Sequence, residues 1–132
     1  MYTMLIENAE KARKNAYAPY SNFSVGAALL TKDGKVYTGC NIESASFSPT
    51  NCAERTAFFK AISEGERDFE AIAVAGGKIG EESGFCAPCG VCRQVMLEFC
   101  SPDFKIILKD EKSVKIYLLS ELIPIAFDNK TL

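Results

Sequence analysis

Helix-like and strand-like stretches alternate along this chain when its apolar and polar positions are followed in order. Four stretches are predicted to be helical, the first because Leu5, Ala9, Ala12 and Ala16 recur on one side of it. The predicted helices cover 3–16, 52–64, 89–100 and a short segment that starts at Ser120. Five apolar runs rich in strand-forming residues are predicted to be strands, over 25–31, 35–41, 69–75, 104–109 and 114–119.

Turn and capping residues mark where these elements begin and end. Asp33-Gly34, between the first two strands, is a strong signal for a two-residue hairpin turn. Thr3 and Ser120 are expected to cap the first and last helices, and Gly65 is expected to stop the second. The short polar turn between the last two strands favours a second hairpin.

The element order αββαβαββα predicts an α/β fold with a single mixed sheet of about five strands covered by helices. The reason is that a hairpin is followed by β-α-β crossovers. A length of 132 residues fits one domain, expected over 1–132.

Charge and composition exclude several classes of function. Lys and Arg number 15 against 17 Asp and Glu, with no long block of either sign, so a nucleic-acid surface is not indicated. Apolar runs are short and no signal peptide opens the chain, so we expect a cytoplasmic protein without a membrane partner. The absence of histidine rules out Ser-His-Asp, Cys-His and histidine–metal sites.

Three of the six cysteines are placed to act together. Cys89 and Cys92 are three apart at the start of a predicted helix, so both thiols lie on one face, and Cys52 begins another helix. Helix N-termini favour thiolate, and reduced cysteines are expected in the cytoplasm. Three converging thiolates would suit Zn(II) or an iron–sulfur cluster.

Three ligands leave a tetrahedral zinc with an open position for water, which such a metal activates. Glu54 stands two residues after Cys52, where it can handle the protons of that water. Metal, water and carboxylate together indicate hydrolytic chemistry.

Other uses of these cysteines stay open from the residues alone. Cys89 and Cys92 could form a redox pair. With Cys86 they have the spacing of a ferredoxin run, but the expected fourth cysteine is missing three residues later, since Cys100 comes eight positions after Cys92. A structural zinc knuckle with Cys86 as the fourth ligand is a further alternative.

Five segments nevertheless resemble one family in the same order. Cys-Ala-Glu-Arg-Thr-Ala (52–57) and Pro-Cys-Gly-Val-Cys-Arg-Gln-Val (88–95) are similar to the zinc-dependent cytidine deaminases, in their small form with an all-cysteine site. The remaining similar segments are 20–28, 39–43 and 122–127. Together they extend over essentially the whole chain.

The resemblance implies a function and a metal centre. Cys52, Cys89 and Cys92 would bind one Zn(II) per subunit, and Glu54 would shuttle protons for the zinc-activated water. The implied reaction is hydrolytic deamination of cytidine and 2'-deoxycytidine to uridine and 2'-deoxyuridine with release of ammonia, in pyrimidine salvage. Arg55 and Arg93 could hydrogen-bond thiolate sulfur and offset the net negative charge of the site.

The resemblance also implies how the nucleoside is held. Phe23 would pack on the base, the main chain of Ala53 would hydrogen-bond it, and Asn41 with Glu43 would hold the ribose. Because Glu43 would repel a nearby phosphate, a free nucleoside is favoured over a nucleotide, although another cytosine-bearing molecule such as a nucleoside antibiotic is an alternative.

The family enzyme of this size is a homotetramer with active sites built across subunits, and the matching positions here are Phe47 and Phe127. The family usually has tyrosine at the first of these. Cys40 and Cys100 are expected to act as small apolar residues. Cys86 lies near the ligands and could compete for metal. From the residues alone, a purely structural zinc or iron–sulfur module is the rival hypothesis.

Overall fold

A computed structural model of the chain describes residues 2–110 and 112–132. Its helices are α1 Tyr2–Arg13, α2 Ala53–Ser63, α3 Gly90–Phe99 and α4 Leu119–Leu122. Its strands are β1 Phe23–Thr31, β2 Val36–Cys40, β3 Phe69–Lys78, β4 Lys105–Lys109 and β5 Val114–Leu118. The predicted element order is confirmed.

The strands form one mixed sheet in the order β2-β1-β3-β4-β5. Strands β3 and β4 are parallel and are joined through α3, whereas the other neighbouring pairs are antiparallel. Both predicted hairpins are present, but the first turn is longer than the two residues expected at Asp33-Gly34. The N–H of Thr31 donates to the Lys35 carbonyl, which leaves 32–34 in the loop. Gly34 in this loop has a φ of 92°, a value that glycine adopts without steric cost. The predicted fold class is therefore correct.

Alternate residues of the central strands face two separate cores. Ala28 of β1 and Ala73 of β3 face α1, where Leu5 is fully buried. Ala27 and Val74 face the opposite side, where α2 and α3 lie. This second face carries the starts of the two helices that hold the candidate chemistry.

Several boundaries differ from the sequence prediction. Thr3 lies inside α1 and Ser120 inside α4, so neither caps its helix. Leu118 occupies the N-cap of α4, and the carboxylate of Glu121 accepts a hydrogen bond from its backbone N–H at 2.8 Å. Strand β3 runs past the predicted end at 75 to Lys78, because it remains paired with β1 there.

Helix α1 ends at Arg13, three residues before its predicted end at 16. Within the described ranges, no helix has both the length and the apolar character needed to cross a bilayer.

Candidate active site

Two helix starts on one face of the sheet bring three thiols together. Cys52 and Cys89 are the extended residues immediately before α2 and α3, and Cys92 lies in the first turn of α3. The Sγ atoms of Cys52 and Cys89 are 3.6 Å apart, and those of Cys89 and Cys92 are 3.5 Å apart. All three sulfur atoms lie within 4.8 Å of one another.

This geometry fits a zinc ion. With Zn–S bonds of about 2.3 Å, tetrahedral geometry separates sulfur ligands by roughly 3.8 Å. The observed separations of 3.5 and 3.6 Å are close to that value. Cys86 is not part of the group, and its Sγ lies against Gly76 of β3. The geometry therefore favours a three-ligand site over a knuckle closed by Cys86.

The Cys52 thiol is more acidic than an ordinary cysteine. Hydrogen bonding with Cys92, and to a lesser extent with Arg55 and Cys89, lowers its pKa to about 5 against the opposing effect of burial. Arg55 Nη2 lies 3.4 Å from Cys52 Sγ. Within the described part of the chain, the buried Nε of Arg55 has no hydrogen-bond partner. The guanidinium is thus directed at the sulfur cluster.

Glu54 lies in the first turn of α2, beside the cluster, with only 4% of its surface exposed. Burial raises its pKa to about 7, and the nearby charge of Cys52 acts in the same direction. Its backbone N–H and the Cys92 side chain oppose this increase. A carboxyl group of this kind can both accept and release a proton near neutral pH.

Asn41 and Glu43 lie beside the start of β1, and both are already hydrogen-bonded to the chain. Asn41 Oδ1 accepts from the N–H of Val25 at 2.8 Å, and its Nδ2 donates to the carbonyl of Phe23 at 2.8 Å. Glu43 accepts from two N–H groups and a hydroxyl of the 20–21 turn, and hydrogen bonding to Ser21 holds its pKa below the ordinary value. The second Nδ2 hydrogen and spare carboxylate lone pairs are what these residues can offer to a ligand.

A groove of about 470 Å³ runs beside Glu43 and includes Phe47. It is lined by Tyr20, Ser21, Glu43, Ser44, Ala45, Phe47 and Thr50. Ser21 is a site neighbour that sequence reasoning missed. The only signal for it was its position within the similar segment 20–28.

The aromatic residues predicted to meet the substrate occupy different surroundings. Phe23 begins β1 and is 37% exposed, next to Gly76 and on the cluster's side of the sheet. Phe47 in the 42–51 loop and Phe127 near the C-terminus are 85% and 60% exposed. Ala53, the first residue of α2, is buried. A single chain therefore leaves two of the three phenylalanines largely uncovered.

Arg93 does not make the contact expected of it. Its Nε donates to the Pro88 carbonyl at 2.9 Å and its Nη1 to the Leu122 carbonyl at 2.7 Å, so its hydrogen bonds go to carbonyl oxygens rather than to thiolate sulfur. The physical reason is that Leu122, the last residue of α4, lies within reach and presents a helix-end carbonyl, which has no helical N–H to accept from. Arg93 thus ties the start of α3 to the C-terminal segment. Cys100 is part of the packed core, where burial raises the pKa of its thiol.

Three thiols and a buried carboxyl at two helix starts on one mixed sheet are the features of a zinc-dependent hydrolase. The family model of the cytidine and deoxycytidylate deaminase zinc-binding region matches residues 2–108, and the chain belongs to this family. The Cys52, Cys89 and Cys92 cluster fits the zinc site of such a protein.

Close relatives agree with this assignment. A cytidine deaminase of Sporosarcina psychrophila is 49% identical over 129 residues, 97% of this chain and 92% of the relative. One of Halalkalibacterium halodurans is 54% identical over 125 residues, 94% of this chain and 92% of the relative. The crystal structure of cytidine deaminase from Burkholderia pseudomallei superposes with a TM-score of 0.88 at 50% identity, covering 96% of this chain and 99% of that one.

Proposed function

We propose that this protein hydrolyses cytidine and 2'-deoxycytidine to uridine and 2'-deoxyuridine, releasing ammonia, and so serves pyrimidine salvage. The observation that carries the proposal is the cluster of Cys52, Cys89 and Cys92 with the buried carboxyl of Glu54 beside it. Membership of the cytidine and deoxycytidylate deaminase family supports the same reaction.

In this proposal Cys52, Cys89 and Cys92 would hold Zn(II), which would supply the activation of a water molecule near neutral pH. Glu54 takes a proton from the attacking water and delivers it to ring N3. The water oxygen bonds to C4. Glu54 then carries the remaining hydroxyl proton to the amino group, the C4–N bond breaks and ammonia leaves, so that C4 becomes a carbonyl. The atoms balance as cytidine plus water giving uridine plus ammonia.

Arg55 has the task of balancing charge. Three thiolates on a divalent cation leave one net negative charge, which weakens the metal as a Lewis acid. The Nη2–Sγ contact of 3.4 Å draws electron density from Cys52 and offsets part of that charge.

The nucleoside is proposed to lie between the cluster and the Glu43 groove. Phe23 would pack on the base and the backbone of Ala53 would hydrogen-bond it, while Asn41 and Glu43 would bind the ribose hydroxyls. Two supports are the partial exposure of Phe23 and the unused hydrogen-bonding capacity of the Asn41 and Glu43 side chains. An unphosphorylated sugar is favoured because Glu43 is anionic.

We also propose a homotetramer whose subunits complete one another's sites through Phe47 and Phe127. Its support is that both rings stand exposed in the single chain, which leaves them free to contact a neighbouring subunit. Since the ligands must be reduced thiols, we place the protein in a reducing compartment such as the cytoplasm.

The direct test measures the loss of cytidine absorbance together with ammonia release and zinc content of the purified protein. Glu54→Gln should keep zinc and lose about 10²- to 10⁴-fold in kcat, because it removes the proton carrier. Glu64→Gln is the matched control, since Glu64 lies at the other end of α2. A Glu54→Gln protein with near-normal turnover would contradict the assignment.

A further inference from the structure

A buried guanidinium lies on the face of the sheet opposite to the thiol cluster. Arg13, the last residue of α1, is only 8% exposed. Its Nε donates to the carbonyl and hydroxyl of Ser24 at 3.1 and 3.2 Å. Its Nη2 donates to the carbonyls of Lys78 and Glu81, both at 3.2 Å. One side chain thus joins α1, the start of β1, the end of β3 and the connection that follows it.

Further contacts join α1 to the segment that follows β3. Glu10, one turn earlier in α1, accepts a hydrogen bond from Ser83 and lies 3.6 Å from Arg13 Nη1. Gly77 allows the approach, because a Cβ there would come within 3.1 Å of Arg13 Nη2 and 2.8 Å of the Glu82 carbonyl. Two residues of α1 therefore fasten the segment 78–83.

The paired residues of β1 and β3 that Arg13 contacts also carry Phe23, the proposed base-packing residue, on the opposite face of the sheet. Ser24 pairs with Gly77, and on either side of this pair Phe23 pairs with Lys78 and Val25 with Gly76. A Cβ on Gly76 would lie 3.1 Å from the Phe23 ring and 2.6 Å from Cys86 Sγ. The backbone that Arg13 holds on the α1 face of the sheet is thus the backbone that positions Phe23 and Cys86 on the face of the thiol cluster.

We propose that Arg13 is a positioning residue for nucleoside binding, acting through Phe23 and through the 78–86 segment that leads to Cys89. The proposal rests on the proposed function, because base binding by Phe23 is part of it. The physical basis is that a planar guanidinium donates to several acceptors in fixed directions, which a neutral side chain cannot replace. Without it, the Lys78 carbonyl keeps only the Glu81 N–H and the Glu81 carbonyl loses the donor that Arg13 supplies, so the segment is less tightly held.

The test compares Arg13→Gln with Leu5→Ala, a change in the same helix and on the same side of the sheet that touches none of these contacts. Both variants should lower the Tm. Arg13→Gln should also raise the KM for cytidine by about fivefold or more, with a smaller change in kcat and one zinc per chain retained. Leu5→Ala should leave KM unchanged.

Hydrogen exchange gives a readout that does not depend on activity. The amides of Ile79 and Gly84, bonded to the carbonyls of Asn22 and Gly76, should exchange faster in Arg13→Gln than in Leu5→Ala. Ser83→Ala is a milder change that removes only the hydrogen bond to Glu10, and it should speed the exchange of the Gly84 amide in the same way. It serves as the test if Arg13→Gln does not fold.

Equal KM values and equal exchange in Arg13→Gln and Leu5→Ala would overturn the proposal, as would loss of zinc from Arg13→Gln, which would make Arg13 a support of the metal centre. An unsubstituted protein that leaves cytidine intact would contradict the proposed function instead. The exchange comparison would still decide whether Arg13 holds the 78–86 segment.

Discussion

Replacing Gly39 of β2 with alanine should disturb the site, although it adds only one methyl group. A Cβ there would lie 2.5 Å from the amide nitrogen of Ala57 and 2.6 Å from the carbonyl oxygen of Ala53. Ordinary contact begins at 3.4 Å. Because both neighbours are backbone atoms of α2, no side-chain rotation relieves the clash, and Gly39→Ala requires the helix to move by about 0.8 to 0.9 Å.

That displacement is large compared with the tolerance of the metal centre. Helix α2 carries Cys52 and Glu54 at its start, while Cys89 and Cys92 belong to α3. Metal–ligand distances hold within about 0.2 Å, so the shift is roughly four times too large. We expect the overpacking to cost about 1–3 kcal/mol of stability, which leaves the protein folded. Misplacement near 1 Å is expected to lower kcat/KM by about 10²-fold, with weaker zinc retention.

The assay measures kcat/KM for cytidine, zinc per chain and Tm on the same preparation. Gly84→Ala is the matched control, because its Cβ would meet nothing within 4 Å. If Gly39→Ala kept both zinc and kcat/KM at the level of Gly84→Ala, the reasoning that β2 fixes the position of α2 would be refuted.

Two further predictions concern charge. Arg55→Gln should lower turnover or zinc affinity by about tenfold to a hundredfold, because the 3.4 Å contact with Cys52 is lost. Unchanged zinc content and kcat would refute the charge-balancing role of Arg55. Cytidine 5'-monophosphate should show a KM about tenfold or more above that of cytidine, because Glu43 repels the phosphate, and Glu43→Gln should reduce this difference. Equal KM values for the two substrates in the unsubstituted protein would argue against the ribose assignment.

The parts of the fold that the sequence predicted are those governed by local signals. Asp33-Gly34 indicates a hairpin by its backbone preferences, and the strands themselves follow from short apolar runs between turn residues. The closeness of Cys89 and Cys92 followed from their spacing at one helix start, because helix geometry places residues three apart on one face. These local features need no knowledge of how distant segments pack. The convergence of Cys52 on that pair does need it, and was expected from the family resemblance.

Features set by distant contacts were not predictable in the same way. Strand β3 was expected to stop before Gly76, yet it continues because β1 remains beside it. Arg93 was expected at sulfur but contacts the Leu122 carbonyl, a position known only once the C-terminal segment is placed. Arg13 had one usable signal, since it follows Ala9 by four residues and thus falls on the apolar side of α1.

The three thiols come from the starts of two separate helices, and this couples metal binding to folding. Cys89 and Cys92 come together once the first turn of α3 forms, whereas Cys52 joins them only when α2 and α3 both rest on the sheet. The complete ligand set therefore exists only in the folded chain, and the free energy of metal capture adds to that of folding. A chain without zinc would therefore be less stable than the zinc-loaded chain.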